Sequence, residues 1–358
     1  MWYCWGSGGS GCLLLPNLDD FSTPQASSSS LTSVICGGCH CLSINQDSGL
    51  VYAWGDNKFG QCYQSPEQQI VQSPTALRLP EKVLLVACGW RHSLFLFESG
   101  RIGSCGHKSV IGRPIDSVPA HEIGLIDFAS RAVAISCGYE HSTVLDISNS
   151  LWLWGSNKFG QIGLPKDHKR YDRPVQSNIP TEVIPTTAVC GFRHTAVLTS
   201  DGKILTVGSN KYGQLGRQDG FDGSLGCHLW LPVCLQQEVR FVALTSGWSH
   251  CMALSDDHRV WAWGRGDLGQ QGDGHTLHRP EPHCVFLPDA IGEIFCGSEH
   301  SVCIDRSSTS MFVFGWNEHG NLGVGDEMNR SDPTRLQIPD GRIRKFATGG
   351  AVCFAYVQ

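Results

Sequence analysis

The hydrophobic positions of this chain fall into short runs split by Gly, Asn, Ser and Asp, and the runs recur in a fixed order. The clearest copy is Arg131 to Leu164, RAVAISCGYEHSTVLDISNSLWLWGSNKFGQIGL. One apolar run ends in Cys137-Gly138, two residues intervene, and His141-Ser142 opens a second run. Polar residues Asp146 to Ser150 lead into a third run, Leu151-Trp152-Leu153-Trp154, which closes on Gly155 and a Ser-Asn-Lys-Phe-Gly-Gln turn. Short β-rich runs bounded by turn residues predict an antiparallel meander.

The Gly-x-x-His element recurs with its glycine at Gly37, Gly89, Gly138, Gly191, Gly247 and Gly297, and a copy lacking the histidine begins at Gly349. The third-run glycine recurs at Gly6, Gly55, Gly106, Gly155, Gly208, Gly264 and Gly315. A step of about 50 residues with several short strands and little helical pattern predicts a β-propeller, because one such sheet cannot bury both faces alone. Seven copies predict an all-β, seven-bladed β-propeller forming a single domain over 1–358, with blades near 31–80, 81–130, 131–180, 181–236, 237–288, 289–340, and 341–358 together with 1–30. The chain starts in a third-strand element, MWYCWG, and ends after the first two, so both termini are expected to close the last blade and leave no open edge.

Charged residues make up 17% of the chain and the net charge is -6, which argues against a nucleic-acid surface. No run is apolar enough to span a membrane. Seventeen cysteines without a signal peptide point to reduced thiols in cytosol or nucleus. Five of them, Cys36, Cys88, Cys137, Cys190 and Cys296, precede the repeat glycine, where a small, weakly polar side chain suits a crowded axis.

Several motifs match chemistry by spelling alone. Gly6-Ser7-Gly8-Gly9-Ser10-Gly11 has the dinucleotide spacing but no following helix, and it occupies a repeat turn. Cys36-Gly37-Gly38-Cys39-His40 has haem-attachment spacing, yet Cys36 and His40 are the repeat's own residues, so neither haem nor metal is expected. The histidines His40, His92, His141, His194, His250 and His300 occur one per blade, and each is expected to be structural, bonding backbone within its own blade. No catalytic residue or cofactor is expected. Blade two has lost the Asn turn, reading SCGHKSVIG, which predicts a shorter third strand, and the longest inter-blade loop, 217–231, is a further place for function.

The Gly-x-x-His elements and W-G-x-N-x-x-G-Q turns resemble the regulator of chromosome condensation family of seven-bladed propellers over essentially the whole chain. Within it, SGWSH…WAWGRGDLGQ, CGSEH and FGWNEHGNLG are most similar to two groups. One comprises secretion-regulating guanine nucleotide exchange factors. The other is the yeast alpha-tubulin suppressor and killer-toxin-insensitivity type, a tail-less propeller that partners a small zinc-binding electron-transfer protein in diphthamide synthesis and Elongator-dependent tRNA modification. The resemblance implies that the variable loop residues share one face, which in the founding member meets a small GTPase. Here the partner-binding residues would be Trp90, Arg91, Tyr139, Glu140, Phe192, Arg193, Trp248 and Glu299. Aromatic and arginine residues predominate, as at interface hot spots, and only Glu140 and Glu299 match the founder's acidic contacts. The expected function is a monomeric, non-enzymatic adaptor for a protein partner, with guanine nucleotide exchange on a small GTPase as the alternative. Some members of this family sense ultraviolet light through clustered loop tryptophans. Trp90 and Trp248 lie three blades apart in chain order, so no such cluster is expected.

Overall fold

The computed structural model describes residues 1–116, 118–221, 226–339 and 341–358. Among these, all regular structure is strand, in seven four-stranded sheets. The third sheet shows the plan: Ala132–Cys137 lies innermost, followed outward by His141–Asp146, Leu151–Ser156 and Arg170–Gln176, each antiparallel to its neighbour. Six of the seven second strands are buried along their whole length, with Tyr356 alone half-buried in the seventh, Val352–Val357, whereas the outer strands are buried only in part. Each sheet therefore buries both faces against its neighbours in the ring, which explains the continuous apolar runs of the second strands.

Closure follows the predicted route. Trp2–Gly6 pairs with Val352–Val357, with Trp2 opposite Tyr356 and Gly6 opposite Val352, and Phe21–Ser27 completes that sheet. The terminal amine donates to the Val357 carbonyl at 2.6 Å. The last blade thus contains strands from both ends of the chain.

Blade two departs from the prediction. Its third strand, Ile102–Gly106, is as long as Val260–Gly264 in blade five, and the fourth strand is the one cut down, to Gly124–Leu125. Its turn lacks the asparagine of blade three, but that loss alone does not shorten the strand, since blades five and seven carry Gly266 and Gly8 there and keep seven-residue fourth strands. In blade three, Asn157 donates from Nδ2 to the carbonyls of Pro165 and His168 and accepts from the Ile162 amide, fixing the path to the fourth strand. Blade two instead uses the buried Arg113 guanidinium, which donates to the carbonyls of Val118, Pro119 and Glu122. Those carbonyls are thereby satisfied by a side chain rather than by a strand partner.

Tryptophans before the repeat glycine lock blade to blade. The Trp154 indole is fully buried and donates to the Val110 carbonyl of the preceding blade at 2.9 Å; Trp54, Trp263 and Trp5 repeat the contact with Cys12, Gln214 and Asn321. The glycine ending the preceding turn makes room for the ring. A Cβ on Gly112 would lie 2.6 Å from the Trp154 indole nitrogen, and its φ of 70° disfavours any side chain.

Candidate interaction face

Each Gly-x-x-His loop joins a first strand to a second at the axis. The first variable residue of each loop donates its amide to a loop carbonyl of the next blade: Gly38 to Gly89, Trp90 to Gly138, Tyr139 to Gly191, Phe192 to Trp248, Trp248 to Ser298, Ser298 to Gly349, and Gly350 to Gly37. These bonds form a closed circuit. The preceding glycine is required because the loops touch. A Cβ on Gly138 would sit 2.5 Å from the Gly191 carbonyl oxygen. Beneath the circuit lies an axial cavity of about 100 Å³, lined by Cys36, Cys88, Cys137, Cys190 and Cys296, with Ser246 and Thr348 completing the set. The cysteine position is thus axial, as the repeat suggested, and burial pushes the Cys190 thiol up to about 12.

The histidines do not bond backbone within their own blades. Each Nε2 instead reaches the residue after the histidine in the next blade: His40 to Ser93 at 2.8 Å, His92 to Ser142 at 2.7 Å, His141 to Thr195 at 2.9 Å, His194 to Cys251 at 3.1 Å and His250 to Ser301 at 3.1 Å. His300 bonds Thr348 at 2.8 Å, with Cys353 at 3.3 Å. The Ser93 and Thr195 hydroxyls donate onward to the carbonyls of Gln61 and Gln161, each at 2.7 Å. A hydroxyl whose proton is so committed must accept from imidazole, which assigns the Nε2–H tautomer. Burial holds these rings neutral, pushing His40, His92, His194 and His250 down to about 3, and His141 and His300 to about 4. The histidines are seam bonds between blades. Val352 leaves the seam from blade seven to blade one without one.

Above the circuit, four rings meet over the axis. Trp90 stacks on Tyr139 with centroids 5.0 Å apart, Tyr139 meets Phe192 edge-on at 4.2 Å, and Trp248 lies 5.1 Å from Trp90 and 6.1 Å from Phe192. All four are half-buried. The expected separation of Trp90 from Trp248 is therefore corrected. Loops this close to the axis are neighbours across the ring, whatever their separation in the chain.

The charged loop residues divide into two kinds. Arg91 and Glu140 pair across a blade boundary at 2.8 Å with side chains 21% and 27% exposed, and Arg193 lies over Phe192 and Phe159 at 4.6 and 4.7 Å. Glu299 differs, because only 6% of its side chain is exposed. Its oxygens accept from Arg265 at 2.9 Å and Gln270 at 2.7 Å, and burial raises its pKa against the opposing pull of Arg265. The structure therefore places Trp90, Arg91, Tyr139, Glu140, Phe192, Arg193 and Trp248 on one accessible face and Glu299 beneath it.

Sequence reasoning missed Arg265, Phe59, Phe159 and Tyr212. Arg91 lies over Phe59 at 5.4 Å, and Arg265 over Tyr212 at 5.4 Å. All four sit in the turn after a third strand, which abuts the Gly-x-x-His loop of the next blade. The constant offset between turn and loop was the available signal. Among the described residues, no three His, Cys, Asp or Glu side chains gather where they could hold a metal ion. Among the described residues, no helix is long and apolar enough to cross a membrane.

Residues 1–355 match the RCC1-like domain. The chain belongs to the RCC1-like family. This RCC1-like propeller is 29% identical to the ultraviolet-B receptor UVR8 of Arabidopsis thaliana, covering 93% of this chain and 77% of the receptor. It is also 29% identical to the mouse secretion-regulating guanine nucleotide exchange factor, covering 97% of this chain and 81% of that protein. Among solved structures, Prp20p of Saccharomyces cerevisiae, described with its binding to Gsp1p and histones, superposes with a TM-score of 0.87 at 21% identity, covering 99% of this chain and 90% of that one.

Proposed function

We propose that this RCC1-like propeller is a protein-binding adaptor that docks its partner on the Gly-x-x-His face. The carrying observation is the half-buried ring cluster Trp90–Tyr139–Phe192–Trp248, flanked by Arg91 and Arg193. Rigid aromatic and arginine groups held over a close-packed base lose little freedom on binding and supply the anchors on which interfaces depend. The partner is a small zinc-binding electron-transfer protein of the kind used in diphthamide synthesis and Elongator-dependent tRNA modification, and the propeller acts as a monomer in cytoplasm or nucleus. No nucleophile or metal enters this role.

The second reading is guanine nucleotide exchange on a small GTPase, favoured by the similarity to the secretion-regulating exchange factor. The ion pairs weigh against it. Glu140 is engaged by Arg91 and Glu299 by Arg265, so neither carboxylate is a free acidic contact. The test is affinity capture with mass spectrometry, followed by release of labelled GDP from any GTPase recovered. An adaptor captures its partner and leaves GDP release unchanged; catalysis by substoichiometric propeller would replace this reading with the second.

A further inference from the structure

The first residue of the turn after each third strand is exposed at the tip of its blade, on the face that carries the Gly-x-x-His loops. In four consecutive blades it is lysine: Lys58, Lys108, Lys158 and Lys211. In the next two it is acidic, Asp267 and Glu318. The connections behind the tips deepen the contrast, since exposed Lys169 follows the tip in blade three and exposed Glu327 follows it in blade six.

Among the described residues the lysines form no ion pair, and only Lys211 has an aromatic neighbour, its ammonium lying 5.0 Å from the Tyr212 ring centroid. Among the described residues, no carboxylate lies within ion-pair distance of the four tip ammonium groups. Arg91, by contrast, is engaged by Glu140, and Arg265 by Glu299 and Asp267. Carboxylates do occur nearby, with Glu67 and Asp167 in the connections of blades one and three. They leave the tips themselves of one sign over blades one to four.

We infer that this face is a bipolar docking surface, whose lysine arc Lys58–Lys108–Lys158–Lys211 receives an acidic segment of a protein partner while the Asp267–Glu318 sector faces a basic part of it. The inference rests on the reading of this face as the docking surface and adds the partner's charge pattern and orientation. Nucleic acid fits less well, because a polyphosphate would meet the acidic sector and a chain of net charge -6. Four mobile ammonium groups at the rim steer and orient a partner more than they hold it, and salt screens their effect.

The test uses the whole propeller and a fluorescein-labelled poly-glutamate peptide at low ionic strength, with single-stranded DNA of matched charge and poly-lysine as comparisons. Reversing the arc (Lys58→Glu, Lys108→Glu, Lys158→Glu and Lys211→Glu together) should weaken peptide binding by about tenfold or more. Reversing four exposed basic residues at the opposite end of the strands (Lys82→Glu, Arg131→Glu, Lys203→Glu and Arg240→Glu together) is the control of equal charge change, and melting curves verify folding of both proteins. The inference is overturned if arc and control variants bind the peptide alike, or if DNA binds the wild type more tightly than the peptide does. The docking reading can survive that loss. A partner released by Trp248→Ala but retained by the arc variant would leave the aromatic dock standing and remove the arc.

Discussion

The indole of Trp90 packs edge-on against that of Trp248, with centroids 5.1 Å apart and planes inclined at 70°, although the two belong to blades two and five. Two indoles this close couple electronically. The account predicts an exciton signal in the circular dichroism of the folded protein that disappears equally in Trp90→Phe and Trp248→Phe. A spectrum unchanged in either variant would place the rings apart.

The seam histidines predict how stability depends on pH. Burial lowers their pKa in the folded protein below the ordinary value of 6.5, reaching about 4 for His141. The unfolded chain therefore binds more protons through the window from about 6.5 down to the folded value, and stability falls as pH falls through it. Each such ring costs about 2 kcal/mol at pH 5. Melting temperature should drop steeply between pH 7 and pH 5, and His141→Gln, less stable at pH 7, should show a shallower drop. A parallel pH profile for that variant would contradict the seam assignment.

Much of this was legible in the repeat. The blade count, the closure by both termini and the axial cysteines all follow from the period, because every copy presents the same position the same way. What the period hid is contact between copies. The proton of His141 goes to Thr195 of the next blade, and Glu299 is buried by Arg265 from the turn of the preceding one, so a residue's partners lie one repeat away. The short fourth strand of blade two was hidden too, since it goes with Arg113 taking over the carbonyls of Val118, Pro119 and Glu122.

The two glutamates of the face should separate in energy. Glu299→Ala leaves Arg265 its exposed Asp267 but strands the buried Gln270 amide that Glu299 accepts from, and should destabilise the protein by about 2 kcal/mol, whereas Glu140→Ala removes a partly exposed pair and should cost less than about 1 kcal/mol. Urea denaturation of the two variants checks this. Equal losses would mean that Glu299 is as accessible as Glu140.

Ring closure should be required for cooperative folding. The strand Trp2–Gly6 has its inner neighbour only in Val352–Val357, at the end of the chain. Removing residues 346–358 should abolish the single sharp melting transition, monitored by calorimetry. A truncated chain melting like the intact one would show that the ring does not depend on this pairing.

The central claim is that the ring cluster over the axis holds a protein partner. Its most direct test is the affinity of the captured partner for wild type, Trp90→Ala and Trp248→Ala propellers, measured by titration calorimetry with folding verified by melting. The account predicts a loss of about 2 kcal/mol or more in each variant, as for buried aromatic anchors. Affinity equal to wild type in both would contradict it.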